Sequence, residues 1–461
     1  MRKRKMHWVA IPLLVILIFT MTACASETDT SSGNSHIKVV SKMKGTVRVA
    51  LAGWQLDNGI DALTGAKIQG LKDYLKEEFY PRYPNIKLEL TQVPWENAKA
   101  KQTAMLKSGD VDVLYSGGAF EFNWYQEGLL KDLNPLIAQD KEFDPSIYMK
   151  SLWENAVSTR SPDGKTQFGI PISLGRRAIG YDKELFKQWG VTPLSENPTP
   201  QEILEKAKKM TGKNPVTGKQ NYGLWWEGNG LNDSTVVALS YAFGANGGKG
   251  TLSDVGNIKW QLNSPEMAKV MEWLKDASKY APKAFVNGKG NEKWATKDND
   301  IAIYLDDSGA TLMSNYEETK DSSLLDRFQP TMNMGPNGSG WVSTDSFVMA
   351  KNAKDEKASW AVMKFLTNHD TQVYLHKNLN KSPTLADPDF LDGKDAFLEK
   401  EIKIAEVSKH TLLDEANPYF SSDIVPEING FISKAANGNA PNIPSFLNDI
   451  QQRAQKWSAN Q

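Results

Sequence analysis

Aromatic and small residues stand directly after three apolar or alternating segments of this chain. Trp54 follows the first segment, Trp95 follows the second, and the third ends in Tyr115-Ser116-Gly117-Gly118. Aromatic rings stack on the apolar C–H faces of sugar rings, while hydroxyl and backbone groups bind the polar rims. These residue types therefore indicate non-covalent binding of a saccharide, with Trp54, Trp95, Tyr115, Ser116 and Gly118 as candidate ligand contacts.

Three further tryptophans, Trp225, Trp226 and Trp341, lie at strand ends or in loops beside glycine. A tryptophan in any fold is more often part of the core than of a site. We therefore assign to packing those that fall in helical patterns, which are Trp153, Trp189, Trp273 and Trp360. The position of the other three favours a place at the binding site.

Charged candidates follow two other segments. Asp306 and Asp307 come directly after the apolar run 301–305, and a carboxylate there could accept two sugar hydroxyls. Capping of a helix that begins near Ser308 is an equally good interpretation of Asp307. Arg176 and Arg177 follow a predicted crossover, where one could reach the ligand and the other form an ion pair.

The motifs that would indicate catalysis or metal binding are incomplete or absent in this sequence. Gly244–Gly250 resembles a phosphate loop, but its spacing fails and no Ser or Thr follows the Lys. His369 and His376 share a helix face without an acidic partner at a metal-binding offset. No nucleophile elbow is present, although carboxylate pairs for glycoside hydrolysis cannot be judged from sequence. We expect no cofactor, no metal and no enzymatic activity.

Strands and helices alternate in the first part of the chain. Residues 46–51, 86–93 and 111–115 read as strands, and the amphipathic stretches 66–79 and 98–107 read as the helices between them. Strand-helix-strand order predicts a parallel α/β sheet, and such sheets bind ligands beyond the carboxyl ends of their strands. The candidate residues should therefore meet at one edge of a sheet.

The first residues predict secretion. Residues 2–5 are basic, 8–22 are apolar, and Met21-Thr22-Ala23-Cys24 resembles a bacterial lipobox. We expect a signal peptide at 1–23, lipidation of Cys24 with acyl chains such as palmitate, and a flexible tether at 24–44. Cys24 is the only cysteine, so the mature chain could form no internal disulfide.

Length and charge narrow the class of protein further. The 438 residues that follow the predicted leader are too many for one compact core, so two lobes are expected. Loss of the four leader charges would take the formal net charge from −1 to about −5. Such mild acidity argues against a nucleic-acid partner.

The order and spacing of several motifs resemble the extracellular solute-binding proteins of sugar-importing ABC transporters. The resemblance covers most of the mature chain, and its segments are 83–90, 108–114, 128–133, 163–171, 180–186, Gly340-Trp341 and 358–366. It implies a two-lobed α/β periplasmic-binding-protein-like fold with a hinged cleft. It also implies a monomer, lipid-anchored on the outer face of the cell membrane, that delivers a mono- or oligosaccharide to ABC permease subunits.

We expect the first lobe to hold residues 45–160 and 300–345, and the second to hold 161–299 and 346–461. Two other functions stay open at this point. One is a secreted lipoprotein that degrades polysaccharides, and the other is a sugar sensor that acts on a signalling kinase.

Overall fold

The computed structural model of the protein describes residues 41–60, 67–175, 177–226, 233–379, 381–391 and 393–461. The predicted signal peptide, Cys24 and Arg176 lie outside the described residues, as does the predicted tether up to residue 40. The strands are β1 (Lys44–Ala52), β2 (Gly59–Ile60), β3 (Lys67–Ile68), β4 (Asn85–Val93), β5 (Val113–Gly117), β6 (Gly169–Leu174), β7 (Ala178–Asp182), β8 (Gly212–Lys213), β9 (Gln220–Trp225), β10 (Gly248–Lys249), β11 (Lys259–Trp260), β12 (Ile301–Asp307), β13 (Phe328–Thr331) and β14 (Thr344–Met349).

The first sheet has the strand order β4-β1-β5-β14-β6. Strand β1 pairs in parallel with β4 and β5, as the alternating pattern predicts, and β14 pairs antiparallel with β5 and β6. The carboxyl ends of β1, β4 and β5 therefore share one edge, and the amino end of the reversed strand β14 reaches the same edge.

The second sheet has the strand order β13-β7-β12-β9-β8. Strand β12 is parallel to β9 and antiparallel to β7, while β13 is antiparallel to β7. The chain passes from the first sheet to the second between β6 and β7, at residues 175–177, and returns between β13 and β14, at residues 332–343. Both sheets lie in one unit of the chain, Val40–Gln461.

These pairings correct the predicted division into lobes at four strands. Strands β12 and β13 were placed with the first lobe, but both pair with β7 in the second sheet. Strand β6 and residues 346–349 of β14 were placed with the second lobe, but these two strands pair with each other in the first sheet. The apolar pattern of a segment identifies a strand, whereas its partners are set by long-range packing that the pattern does not encode.

Side-chain caps mark the beginning of several helices. Thr199 accepts a hydrogen bond from the Glu202 amide at 3.1 Å, with Pro200 in the first turn. Residues 292–297 form turns rather than a helix. The helices are α1 (Leu71–Tyr74, continuing as a π-helix Leu75–Phe79), α2 (Ala98–Ser108), α3 (Gly118–Gln126), α4 (Asn134–Gln139), α5 (Lys150–Trp153), α6 (Lys183–Gln188), α7 (Pro200–Lys209), α8 (Asp233–Phe243), α9 (Pro265–Ala277), α10 (Ala310–Thr319), α11 (Ser323–Arg327), α12 (Glu356–Thr367), α13 (His369–Leu379), α14 (Ala396–Val407), α15 (Val425–Ala436) and α16 (Ile443–Ser458).

Candidate functional site

Three of the predicted aromatic residues meet at the carboxyl edge of the first sheet. The ring centroid of Tyr115 lies 5.1 Å from that of Trp54 and 6.2 Å from that of Trp95, both in edge-to-face arrangements. Trp54 also packs against Phe347 of β14 at 5.6 Å. The parallel order of β4, β1 and β5 brings these residues together, although their strand ends are far apart in sequence.

The two tryptophans of this edge differ in exposure. Trp54 and Tyr115 are buried, at 1% and 0% exposed, whereas 39% of Trp95 is exposed. Trp95 is thus accessible to solvent. It packs on the buried ring of Tyr115, which in turn packs on the buried ring of Trp54. Among the large apolar residues that the structure describes as exposed, it is the only aromatic one.

Ser116 and Gly118 shape the backbone of this edge. The Ser116 hydroxyl is buried and donates a hydrogen bond to Oε1 of Gln102 at 2.8 Å. A β-carbon on Gly118 would lie 2.2 Å from Cβ of Ser158 and 2.5 Å from the Thr344 carbonyl oxygen. Gly118 therefore permits a close approach of two chain segments, and Ser116 fixes α2 against β5.

Asp345, which the sequence analysis missed, adds a carboxylate to the aromatic edge. It lies opposite Gly117 in the pairing of β14 with β5. The Tyr115 hydroxyl donates a hydrogen bond to Oδ2 of Asp345 at 2.7 Å. Burial raises the pKa of Asp345, and the positive charge of Lys381 acts in the opposite direction.

Lys381 reaches the same edge from the segment after α13. Its Nζ lies 5.9 Å from the ring centroid of Tyr115. Asp345 and Lys381 are separated from the first strands by more than 200 residues, so local patterns could not reveal them. One signal was available for Asp345, since an antiparallel strand that joins a parallel sheet presents its amino end at the carboxyl edge.

The two predicted aspartates at the end of β12 hold neighbouring elements. Asp306 accepts hydrogen bonds from the hydroxyls of Ser234 at 2.6 Å and Thr235 at 2.7 Å, at the start of α8. Asp307 is buried and accepts from the indole Nε1 of Trp294 and the Gly309 amide, both at 2.9 Å. Asp307 thus holds the turn before α10 and does not cap that helix, whose N-cap Gly309 has no side-chain cap. Ligand contact by either aspartate stays a prediction.

The tryptophan pair after β9 is buried in the packing of the second sheet. Trp225 packs on Tyr304 at 4.4 Å and donates from Nε1 to the Lys289 carbonyl oxygen at 3.0 Å. Trp226 packs on Phe285 at 4.5 Å and is 0% exposed. Neither ring presents an exposed face as Trp95 does, and ligand contact by Trp225 or Trp226 stays a prediction.

Trp341 lies where the two crossovers meet. Cζ of Arg177 lies 5.2 Å from its ring centroid, and a β-carbon on Gly175 would lie 3.1 Å from its Cη2. Arg177 and Gly175 belong to the first crossover and Trp341 to the second. The ring therefore packs the two connections between the sheets against each other.

A cavity of about 600 Å³ lies elsewhere, lined by Val157, Tyr241, Leu252, Pro336 and His410 among others. None of the described residues in its wall is an aspartate or glutamate. The sheet edge at Trp95 offers both a ring and a carboxylate, which makes it the better candidate for a saccharide.

Neither a metal-binding cluster nor a membrane-spanning helix is found among the described residues. The described residues hold no group of three or more histidine, cysteine, aspartate or glutamate side chains placed to bind a metal ion. His369 instead contacts Asp389 at 2.7 Å. In the same described ranges, no helix has the length and apolar character that crossing a bilayer requires.

Two α/β sheets joined by two short crossovers, with aromatic and acidic side chains at a shared strand edge, define a two-lobed periplasmic-binding-protein-like fold. The chain belongs to the family of bacterial extracellular solute-binding proteins, whose family model matches residues 64–373.

Solved structures share this architecture at low sequence identity. The sugar-binding protein MalE from Xanthomonas citri aligns with a TM-score of 0.70 and 18% identity, over 90% of this chain and 98% of that one. An ABC substrate-binding protein from Listeria monocytogenes in complex with cycloalternan aligns with a TM-score of 0.66 and 17% identity, over 90% and 99%. A binding protein of Brucella abortus (strain 2308) is 24% identical over 307 residues, which is 66% of this chain and 70% of that protein.

Proposed function

We propose that this protein binds a saccharide at the carboxyl edge of the first sheet and delivers it to an ABC import permease. The observation that carries the proposal is the exposed ring of Trp95, which adjoins the hydrogen-bonded pair Tyr115–Asp345. An accessible aromatic face beside a carboxylate matches the mixed apolar and polar surface of a sugar ring. The family is a binding family, and solved proteins of this fold include one in complex with cycloalternan and one with bound D-mannitol.

Closure of the two sheets around the ligand would couple binding to delivery. Residues 175–177 and 332–343 connect the two sheets and are candidate hinges, and Trp341 packs between them. The chain crosses once more after α13, because α14 packs on β7 and β13 of the second sheet. A ligand that contacts both lobes stabilises the closed form by the difference between its affinities for the two forms. The permease would then recognise that closed form.

Calorimetric titration with a panel of neutral mono- and oligosaccharides tests the proposal. We expect saturable binding without product formation, and a loss of about 1–3 kcal/mol of binding free energy in Trp95→Ala, from the aromatic area removed. Trp457→Ala is the control, because Trp457 packs on Tyr419 in the last part of the chain, away from the strand edge. Release of shorter sugars would favour the polysaccharide-degrading alternative, and failure of every saccharide to bind would refute the proposal.

We further propose that Cys24 is lipidated and holds a monomeric protein on the outer face of the cell membrane. The basic leader, the apolar run and the single cysteine at its end support this. In Cys24→Ser the protein should appear in the growth medium. Retention of that variant on the membrane would contradict the anchor while leaving saccharide binding unaffected.

A further inference from the structure

Gly117 is the last residue of β5, and the side chains of Asp345 and Trp95 both lie beside it. Among the described residues beyond its chain neighbours, only Oδ1 of Asp345 and Cζ3 of Trp95 lie within 4 Å of the position that a β-carbon would take, both at 3.9 Å. These are ordinary contact distances, so an alanine would fit there. The backbone has φ −74° and ψ 140°, which any residue adopts. Neither conformation nor crowding within the protein requires glycine here.

The carboxylate of Asp345 is only partly used within the protein. Oδ2 accepts the Tyr115 hydroxyl at 2.7 Å, whereas Oδ1, on the side of Gly117, accepts no hydrogen bond from any residue in the described ranges. A carboxylate oxygen can accept two hydrogen bonds. Oδ1 is therefore a free acceptor placed beside the accessible ring of Trp95.

Lys381 supplies the complementary donor. Its Nζ lies 5.9 Å from the ring centroid of Tyr115, whose hydroxyl binds Asp345. An ammonium group donates three hydrogen bonds and accepts none. Three groups thus lie around Tyr115 and Gly117, namely the acceptor Oδ1 of Asp345, the donor Nζ of Lys381 and the apolar face of Trp95.

The formal charges beside Gly117 oppose each other. Asp345 carries a carboxyl group and Lys381 an amino group, and both reach Tyr115. Burial and the nearby charge of Asp345 raise the pKa of Glu121, a buried residue in the first turn of α3. An anionic group on the ligand would meet Oδ1 of Asp345 beside Gly117, so the site does not favour a phosphorylated or carboxylated sugar.

We propose that one uncharged sugar residue of the ligand lies over Gly117, with its C–H face on Trp95 and two adjacent hydroxyls held by Oδ1 of Asp345 and Nζ of Lys381. This inference rests on the proposed saccharide binding, and it names the residues that select the sugar. Gly117 leaves the space that this sugar residue occupies, and that role explains the glycine.

Substitution of Gly117 tests the position of the ligand. Gly117→Ala should keep the melting temperature of the wild type, because the new methyl group makes only ordinary contacts. Its affinity for the tightest-binding neutral saccharide of the panel should fall at least tenfold, since the methyl group occupies the ligand's space. Gly430→Ala is the matched control, because a β-carbon there would meet no heavy atom within 4 Å and the residue lies on α15. Its affinity should equal that of the wild type.

Asp345→Asn and Lys381→Met test the two polar contacts. Each should weaken binding about tenfold to a hundredfold, the range for a hydrogen bond to a charged group. Analogues of the same saccharide, each lacking one hydroxyl, should show which hydroxyl is held. For the analogue that lacks the hydroxyl bound by Asp345, Asp345→Asn should cause no further loss.

The outcomes separate this inference from the proposed function. If saccharide binding is lost in Trp95→Ala but retained in Gly117→Ala and Asp345→Asn, the function stands and the placement over Gly117 is overturned. Tighter binding of a sugar phosphate or uronate than of neutral sugars would also overturn it. If no saccharide binds the wild type, the proposed function fails and this inference fails with it.

Discussion

The indole ring of Trp95 lies directly on the backbone of Gly53. A β-carbon on Gly53 would come within 2.0 Å of Nε1 and 2.5 Å of Cδ1 of that ring. Gly53 has φ +66°, a left-handed conformation that glycine adopts without steric cost. Gly53 therefore permits both the turn after β1 and the position of the exposed ring from β4.

Gly53→Ala should consequently displace Trp95. We expect the left-handed residue to cost about 1–2 kcal/mol of folding free energy. The displaced ring should in addition weaken saccharide binding by an amount similar to that of Trp95→Ala. Thermal unfolding and calorimetric titration of the same preparation measure the two effects separately.

Gly128→Ala is the control for backbone strain. Gly128 has φ +67°, but a β-carbon there would meet nothing within 4 Å. Gly128→Ala should lose about as much stability as Gly53→Ala and should keep the wild-type affinity for the saccharide. Equal affinity in the two variants would show that the position of Trp95 is unimportant for binding.

Trp226→Ala should have the opposite profile to Trp95→Ala. Trp226 is fully buried, with its ring centroid 4.5 Å from that of Phe285 and 6.3 Å from that of Trp273. Truncation of a buried tryptophan costs about 3–5 kcal/mol of stability. We expect a lower melting temperature and largely retained affinity in the folded fraction. Lost affinity at an unchanged melting temperature would instead return Trp226 to the site.

Those two tryptophans show what the sequence can predict. The alternation of strands and helices predicts that β1, β4 and β5 run parallel, and it therefore predicts that Trp54, Trp95 and Tyr115 meet at one edge. Which ring faces solvent depends on what packs over it. Trp95 lies on a glycine at the rim of the sheet, whereas Trp226 is covered by α9 and by Phe285. The residues next to a tryptophan in the sequence do not predict this packing.

Asp345 and Lys381 illustrate the other limit. Each stands in a segment with no binding motif, and each reaches Tyr115 only because β14 and the segment after α13 return to the first sheet. The same long-range pairing explains why β6, β12, β13 and most of β14 were assigned to the wrong lobes. Alternation predicts that a strand exists, but the partner strand depends on the whole sheet.

The ion pair between Arg48 and the buried Asp112 should make the free energy of unfolding decrease as the pH falls. Arg48 donates from Nε to Oδ2 at 2.9 Å and from Nη2 to Oδ1 at 2.7 Å, and the Asp112 side chain is fully buried. Burial by itself would raise the pKa of Asp112, but hydrogen bonds from Arg48 and the Lys354 amide bring it below its usual range. Because the folded-state pKa is lower than the unfolded one, this contribution is complete above about pH 4 and is lost as the pH falls through the folded-state pKa.

Arg48→Met leaves that carboxylate buried without its partner. We expect a loss of about 3–5 kcal/mol at pH 7, and a smaller loss at pH 3, where Asp112 takes up a proton. Denaturant unfolding at both pH values measures the difference. Lys87→Met, which removes the exposed partner of Glu89, should change stability little at either pH. A loss in Arg48→Met that is equal at the two pH values would show that Asp112 is not the group responsible.

The contact between Asn155 and His410 joins two parts of the chain that are far apart in sequence. Nδ2 of Asn155 lies 2.8 Å from Nε2 of His410, and Nδ1 of His410 lies 2.6 Å from Oδ2 of Asp414. Oδ1 of Asn155 accepts the Val157 amide at 3.0 Å, so its amide group points a donor at the imidazole. The imidazole Nε2 is then the acceptor. This hydrogen bond connects the loop after α5 to the segment after α14.

Asn155→Ala should then destabilise the protein by about 0.5–1.5 kcal/mol, the usual net contribution of one hydrogen bond. Unfolding free energies of the variant and the wild type provide the measurement. Asn134→Ala is a suitable control, because its amide donates to the Lys165 carbonyl oxygen at 2.7 Å with no imidazole involved. His410→Ala should cost less stability when it is added to Asn155→Ala than when it is added to Asn134→Ala, because only the first pair shares a contact. Equal costs in the two backgrounds would contradict the assignment of His410 as the acceptor.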